Sequence, residues 1–172
     1  MPASSQALIG VNEVGEHDGQ GTDTSWGRTQ QSGALLQMSV TKQTLMSAQA
    51  KMAEDTHISG VEMTVQFNGI FSELQNLQRM LGIPAAQFTG DLDSPTQEVL
   101  TIDQGSLGSV QKGIYVIGPG PASTRRLEVA VATLGDIGDI EWSDENWILP
   151  QVSWDVLNTA DGTGVLTITD AT

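Results

Sequence analysis

Apolar and polar residues alternate along residues 60–67, and this period of two is typical of a half-buried β-strand. The apolar side chains are expected to share one face of the strand and the polar side chains the other. The apolar positions are Val61, Met63, Val65 and Phe67, and the polar positions are Glu62, Thr64 and Gln66. The pattern predicts a strand that covers a core with one face.

The spacing of apolar residues becomes helical directly after this strand. The apolar positions are Phe71, Leu74, Leu77 and Leu81. Ser72 and Gln75 have the spacing of a capping box at the start of a helix. Gly82 and Pro84 are typical of its end. A strand followed by a short helix is therefore predicted over residues 58–82.

Further strands are predicted from alternation and short apolar runs elsewhere in the chain. They cover residues 34–42, 97–103, 112–118, 126–134, 147–157 and 165–169, with a short strand at 7–11. Asp161-Gly162 is a strong hairpin signal. About seven or eight strands with one inserted helix favour a mainly β fold, an antiparallel β-sandwich or β-barrel with one short flanking α-helix.

Two connections are interpreted as loops. Residues 43–57 are expected to continue a strand and then form a long connecting loop, with a short helix as the alternative. Their apolar side chains, among them Leu45, Met46 and Met52, would be exposed on an isolated loop and covered in an assembly. Residues 87–95 are expected to form a second loop.

The first part of the chain differs in composition from the rest. Residues 12–33 are polar and rich in glycine, which favours a disordered segment or a long loop. We therefore predict an N-terminal arm or extended loop over residues 1–33 and a single β domain over 34–172.

Charge limits the partners of the chain. The 172 residues carry a net charge of −14. Residues 89–172 hold 13 acidic and three basic residues, a balance of −10, and residues 1–88 hold eight acidic and four basic residues, a balance of −4. Such a surface repels nucleic-acid phosphates, which argues against tight DNA binding and is compatible with a conduit through which DNA passes without adhering.

Several protein classes are disfavoured by what the sequence lacks. It contains no cysteine, which excludes disulfide scaffolds, thiolate metal sites and cysteine nucleophiles and fits assembly in a reducing cytoplasm. No run of about 18 apolar residues is present, so no membrane-spanning segment is predicted. The N-terminal residues lack the basic and apolar regions of a signal peptide.

No catalytic constellation is evident, and we predict a protein that is not an enzyme and needs neither cofactor nor metal. His17 follows Glu13 and Glu16 with spacing that suits a metal, but a solvated loop histidine is the favoured interpretation. The acidic runs 136–145 and 91–93 lack the spacing of calcium loops and are interpreted as solvated faces. Arg125-Arg126 is expected to form salt bridges.

The four tryptophans divide into core and surface candidates. Trp154 alternates with Val152 and Val156 and is assigned to the core. Trp142 and Trp147 flank an acidic loop and are the best candidates for a ligand surface or a protein interface.

The order of these features resembles the tail tube (major tail) proteins of long-tailed bacteriophages. The resemblance rests on the strand ending near Lys42, the long connection, the strand of residues 60–67, the helix of residues 71–82 and a β-rich remainder that closes on residues 161–170. It covers about residues 34–172, and the arm of residues 1–33 is a departure from the family pattern. These motifs are structural and contain no catalytic signature.

The resemblance implies a structural virion protein. Six subunits would form a ring, and rings would stack into a tube through which DNA leaves the virion. The implied partners are copies of the chain itself and the tape measure, tail tip and terminator proteins, with assembly in the host cytoplasm, no specific DNA binding and no membrane. The implied inter-ring contact residues are Leu45, Met46, Lys51, Met52 and Glu54, and the implied lumen-facing residues are Glu62, Gln66 and Glu128.

Two other functions stay open at this point. One is a capsid decoration protein or another virion β-sandwich protein, which would trimerise or bind a capsid rather than polymerise. The other is a carbohydrate-binding module that uses Trp142 and Trp147 as a platform.

Overall fold

A computed structural model of the chain shows a mainly β protein with one short α-helix. It describes residues 13–46, 53–71, 73–91, 94–102, 111–119, 124–142, 147–159 and 166–170. The strands are β1 (Glu13–His17), β2 (Asp23–Met46), β3 (Ala53–Phe71), β4 (Phe88–Asp91), β5 (Ser94–Leu100), β6 (Gln111–Pro119), β7 (Thr124–Ile137), β8 (Glu141–Trp142), β9 (Trp147–Val156) and β10 (Leu166–Asp170). The helix α1 spans Leu74–Leu81, and a 3₁₀ turn spans Ala85–Gln87.

The main sheet has eight antiparallel strands and closes on itself. Its strand order is β10-β7-β6-β1-β2-β3-β9-β8, and β7 also pairs with β9. The circuit β6-β1-β2-β3-β9-β7 is therefore a closed barrel, which leaves fewer open edges than a flat sheet would. β10 pairs with the first part of β7, and β4 and β5 form a separate two-stranded sheet. The predicted fold class is confirmed.

The core lies inside the barrel and is closed by α1. Trp26 on β2 and Trp154 on β9 are fully buried, and their rings stack with centroids 5.5 Å apart. The assignment of Trp154 to the core is confirmed. The other large residues of this core are Val14, Val65, Phe67, Phe71, Leu77, Met80, Leu81, Ile83, Ile114, Val116, Val129 and Val152.

The helix agrees with the prediction at its end and differs at its start. Gly82 adopts a left-handed conformation (φ 67°), and its N–H donates to the Arg79 carbonyl at 3.1 Å. The N-cap is Glu73, whose side chain makes no capping bond to the backbone. The predicted capping box is therefore wrong in position. Ser72 lies outside the described residues.

The prediction of a loop over residues 12–33 is wrong for most of the described part. β1 is a strand of the barrel wall, paired with β6 on one side and β2 on the other, and β2 crosses the predicted boundary at residue 33. The glycine of β1, which suggested a loop, is required by packing. A Cβ atom on Gly15 would collide with the Thr24 carbonyl oxygen and the Tyr115 ring. The predicted strand at 7–11 lies outside the described residues.

The two predicted loops are also largely strand. β2 continues to Met46, so the predicted continuation of the strand is confirmed for residues 43–46. β3 begins at Ala53, so the loop interpretation is wrong for residues 53–57, and the helix alternative is wrong for all the described residues of the connection. Within residues 87–95, β4 pairs with β5. Both segments lack sustained alternation, which is why their pairing was not evident from the sequence.

Candidate functional site

A two-stranded ribbon extends beyond the closed barrel. β9 pairs with β3 only from Thr64 to Phe71, and β1 pairs with β2 only from Asp23 to Arg28. We call residues 38–46 and 53–63 the ribbon, and within the described part of the chain its two strands pair only with each other. Nine residues of extended strand span about 30 Å.

One face of the ribbon is apolar and exposed. Cross-strand pairing places Val40 opposite Val61 and Met38 opposite Met63, and a bulge beside Ser59 brings Ile58 onto the same face opposite Lys42. The exposed fractions are 61% for Met38, 44% for Val40, 60% for Ile58 and 48% for Val61. This face continues the core face of β3, where Val65 and Phe67 are buried.

The opposite face of β2 and β3 is mainly polar, although Leu35, opposite Gln66, is 54% exposed on it. Ser39 pairs with Glu62 in register on the ribbon. At the base of the ribbon, Gln66 Nε2 donates to Gln37 Oε1 at 3.3 Å, and Thr64 Oγ1 donates to Asp155 Oδ1 at 3.1 Å. The ribbon is therefore amphipathic, with its polar side on the outer surface of the barrel.

The predicted inter-ring contact residues fall at the far end of the ribbon. The backbones of Leu45 and Met46 pair with those of Asp55 and Ala53, and Glu54 lies between these two partners on β3. The side chains of Leu45, Met46 and Glu54, and the whole of Lys51 and Met52, lie outside the described residues. Their role as contact residues stays a prediction.

The three predicted lumen-facing residues share the outer side of the sheet. Gln66 lies between the core residues Val65 and Phe67, and Glu62 continues the same polar face toward the ribbon. Glu128 pairs with Tyr115 on the outer face, and Arg126 Nε donates to its Oε1 at 2.6 Å. Glu128 is thus neutralised within the chain, whereas Glu62 is exposed.

An ionic cluster on the outer face ties β7 to the start of β2. Arg126 Nη1 and Nη2 donate to the Asp23 carboxylate at 2.8 and 3.0 Å, and His17 Nδ1 lies 2.8 Å from the same group. The hydrogen bonds from Arg126 are the main reason that the pKa of Asp23 lies below its usual value. Arg125 binds Asp170 with two hydrogen bonds of 2.6 and 2.9 Å, so the predicted salt bridges of both arginines are confirmed.

Tyr115 lies beneath this cluster. Its side chain is buried, the Arg126 guanidinium lies over its ring at 4.6 Å from the centroid, and its hydroxyl donates to Glu13 Oε1 at 2.6 Å. Burial, and then the Glu13 carboxylate, raise the pKa of this phenol. A phenol held in its neutral form is suited to a structural hydrogen bond and not to proton transfer near neutral pH.

An open cavity of about 780 Å³ lies beside the turn between β1 and β2. Its lining includes Glu16, His17, Asp18, Lys112 and Glu128. Lys112 Nζ donates to Glu16 at 2.7 Å and to the Arg79 carbonyl at 2.8 Å, so this charged pair also holds the end of α1. The pairs inside and beside the cavity therefore serve the fold.

The structure separates the candidate metal ligands around His17. Glu13 accepts from Tyr115, Glu16 accepts from Lys112, and His17 contacts Asp23. Among the described residues, no three His, Cys, Asp or Glu side chains are grouped so that they could hold a metal ion.

A second exposed apolar surface lies at β8. Trp142 is 77% exposed, which makes it the most exposed large hydrophobic residue that the structure describes, and its Cα pairs with that of Trp147. Ile140, Asp139 and Glu141 beside it are exposed. The prediction of a surface role for Trp142 agrees with this exposure, whereas the side chain of Trp147 lies outside the described residues.

Sequence reasoning missed the ribbon face as a surface. The alternation of Val61, Met63, Val65 and Phe67 is continuous, although only the last two are buried. Periodicity identifies which side chains share a face, but it does not show whether the same chain covers that face. The signal that could have found this face is that apolar residues alternate along two consecutive strands, β2 and β3, and that both strands are longer than the strands they pair with on their other sides, β1 and β9.

No known protein-family model matches the chain, and no curated protein sequence matches it either. Within the described part of the chain, no helix has both the length and the apolar character needed to cross a membrane.

Proposed function

We propose that the chain is a structural subunit that assembles with copies of itself into the tube of a bacteriophage tail, in stacked and hexameric rings. The observation that carries the proposal is the ribbon with its exposed apolar face. The resemblance in element order to tail tube proteins supplies the identity of the assembly, and the ribbon supplies the physical reason for one. Tape measure, tail tip and terminator proteins are the further partners that this function implies.

The ribbon is an unfavourable structure for an isolated molecule. A two-stranded ribbon is marginally stable in water, because it lacks a third strand and a covered face. Met38, Val40, Ile58 and Val61 are each about half exposed, and burying the exposed part of each side chain would contribute about 1 kcal/mol. Contact with another molecule would therefore both order the ribbon and remove about four side chains from water.

Unpaired strand edges give the subunit a second means of association. The ribbon strands have free outer edges among the described residues, and β10 pairs with β7 on one side only. Soluble monomers normally protect such edges, and closure into a ring would pair them between copies.

The charge of the chain suits the proposed conduit. A net charge of −14 would keep DNA from adhering to the tube wall. Glu62 and Gln66 are the side chains for which we propose a lumenal position, since Glu62 is exposed and without an ion pair in the described part of the chain. Glu128 is a weaker candidate because Arg126 binds it.

Negative-stain electron microscopy of the purified full-length chain tests the proposal. We expect hollow rings or tubes in concentrated protein, and we expect the variant Val40→Thr/Ile58→Thr to lose them while its dilute form keeps the circular dichroism of the wild type. Threonine retains the β-branched shape and removes apolar surface. Ser39→Thr on the polar face is the matched control and should assemble normally.

A wild-type chain that stays monomeric at every concentration, and also in the presence of a tail tip complex, would contradict the proposal. Discrete trimers without rings would support a capsid decoration protein instead.

The exposure of Trp142 favours a second candidate function, that of a carbohydrate-binding module. An indole that is 77% exposed is a suitable stacking surface for a sugar ring. Titration with soluble oligosaccharides should then shift tryptophan fluorescence in the wild type and not in Trp142→Ala. An unchanged spectrum across a panel of oligosaccharides would exclude this function.

A further inference from the structure

We infer that the apolar face of the ribbon docks onto residues 139–142 of a second copy of the chain, so that the subunits stack head to tail. We call residues 139–142 the β8 segment. The inference rests on the proposed function and identifies the surface that receives the ribbon.

The two surfaces lie at opposite ends of the same barrel strand. The ribbon begins where Thr64 pairs with Asp155, and the β8 segment lies where Phe71 and Trp142 both pair with Trp147. Seven residues of β3 separate these ends, which corresponds to roughly 23 Å. Copies that are translated along the strand direction would bring the ribbon of one to the β8 segment of the next.

The chemistry of the two surfaces is complementary. The ribbon presents Met38, and a thioether packs favourably against an aromatic ring such as that of Trp142. An exposed aromatic side chain next to apolar neighbours is the usual anchor of an interface. Ile140, which is 36% exposed, adds apolar area beside the indole.

Charge complementarity points to the same pairing. Lys42 lies on the apolar face of the ribbon and is exposed, with no ion pair in the described part of the chain. Asp139 and Glu141 are exposed and likewise have no ion pair among the described residues. In a docked pair, the Lys42 ammonium would be near these carboxylates, which attract it.

The exposed apolar residues on β10 and near the end of β5 fit the ribbon less well. Ile168 on β10 lies between two threonines, and the carboxylate nearest to it in the sequence, that of Asp170, is already bound by Arg125. Val99 and Ile102 near the end of β5 have Glu98 beside them, but the nearby aromatic residue, Phe88 opposite Leu100, is half-buried and not exposed like Trp142. Val99 therefore serves as the matched comparison in the test.

The contact is heterologous, because different patches of the two copies meet. Such a contact does not close between two subunits and produces a continuing stack. Head-to-tail docking thus accounts for growth along one direction, in keeping with a tube.

Cross-linking between two variants tests the docking directly, since the natural chain contains no cysteine. The full-length variants Met38→Cys and Ile140→Cys are mixed under assembly conditions and treated with a short bismaleimide. We expect this mixture to yield at least about tenfold more cross-linked dimer than a mixture of Met38→Cys with Val99→Cys. A tenfold difference corresponds to about 1.4 kcal/mol. Each variant treated alone with the bismaleimide measures the background of cross-linking between two identical chains.

A charge exchange gives an independent readout. Lys42→Glu and Glu141→Lys should each raise the concentration needed for assembly, and the two changes in one chain should restore it. If the wild type assembles but Met38→Cys cross-links equally to residues 99 and 140, the inference is overturned and the proposed function stays intact. The same holds if the wild type assembles but the double variant does not regain the wild-type assembly concentration. A wild type that never assembles would overturn both.

Discussion

Arg126 donates two hydrogen bonds to the carboxylate of Asp23, from Nη1 at 2.8 Å and from Nη2 at 3.0 Å, although the residues are 103 positions apart in the sequence. β6 and β1 lie between their strands in the sheet, so the pair reaches across two strands on the outer face of the barrel. It fixes the start of β2, and β2 is the strand that continues into the ribbon. The two hydrogen bonds hold the guanidinium in a defined orientation, which a lysine would not reproduce.

Stability should depend on the charge of Asp23. Its pKa in the folded chain lies below the ordinary value of 3.8, chiefly because of the hydrogen bonds from Arg126. The stabilisation is therefore complete above that value and is lost as the pH falls through the folded-state pKa. We expect Asp23→Asn to lower the free energy of unfolding by about 1 kcal/mol at neutral pH, after allowance for solvent screening of a side chain that is 36% exposed.

Urea unfolding at neutral pH and at about pH 2.5 measures this dependence. The difference between wild type and Asp23→Asn should shrink as the pH falls below 3.8, because the lowered pKa makes the stabilisation by Asp23 weaken as the pH approaches the folded-state pKa. Asp139→Asn is the control, since Asp139 has no ion pair among the described residues. An equal difference at both pH values would show that the Asn substitution acts through packing and not through charge.

Lys112 should matter more than an ordinary surface lysine. It binds both Glu16 and the Arg79 carbonyl, so it joins β6, β1 and the end of α1. We expect Lys112→Met to lower the free energy of unfolding by about 1–2 kcal/mol, because Glu16 and the carbonyl each lose a donor in a partly buried site. Lys42→Met, measured in dilute solution, should change it by less than about 0.5 kcal/mol. Equal effects of the two substitutions would contradict the structural role of Lys112.

The end of α1 should be sensitive to substitution at Gly82. This residue has a positive φ of 67°, where an L side chain is strained. Gly82→Ala should cost about 1 kcal/mol of stability, and Gly82→Asn should cost less because asparagine tolerates this conformation. Thermal unfolding of both variants measures the order, and the reverse order would contradict the left-handed cap.

Much of the barrel could be predicted from the sequence because its strands obey simple rules. Val152 and Trp154 alternate along a strand that is covered on one side, and Leu77 and Leu81 repeat along a helix that is covered on one side. In both cases a local period corresponds directly to a buried face.

The parts that were not predicted depend on contacts between distant residues. β1 contains only one buried large side chain, Val14, and its position is fixed by pairing with β6, about 100 residues later in the chain. Gly15 signalled a loop by composition, whereas its missing side chain is what lets the Tyr115 ring lie against the strand. Long-range pairing of this kind leaves no local period in the sequence.

The candidate surface was predictable only in part. The exposure of Trp142 follows from its acidic surroundings in the sequence, because few buried positions tolerate such neighbours. The exposure of Val40 and Val61 has no such signal, since the same alternation is buried a few residues further along β3. Their environment is decided by where β9 stops pairing with β3, at Thr64.

Amide hydrogen exchange should divide the hairpin of β2 and β3 into two parts. The ribbon amides belong to a structure of two strands with an uncovered face, and such a structure opens locally at low cost. In dilute monomer, we expect them to exchange at least about a hundredfold faster than the amides of Val65 and Phe67, which lie in the barrel core. On assembly the ribbon amides should become protected while the barrel amides change little. Ribbon amides that are already as slow as those of the barrel in dilute monomer would show that the ribbon is stable alone, and its need for a partner would no longer support the proposed function.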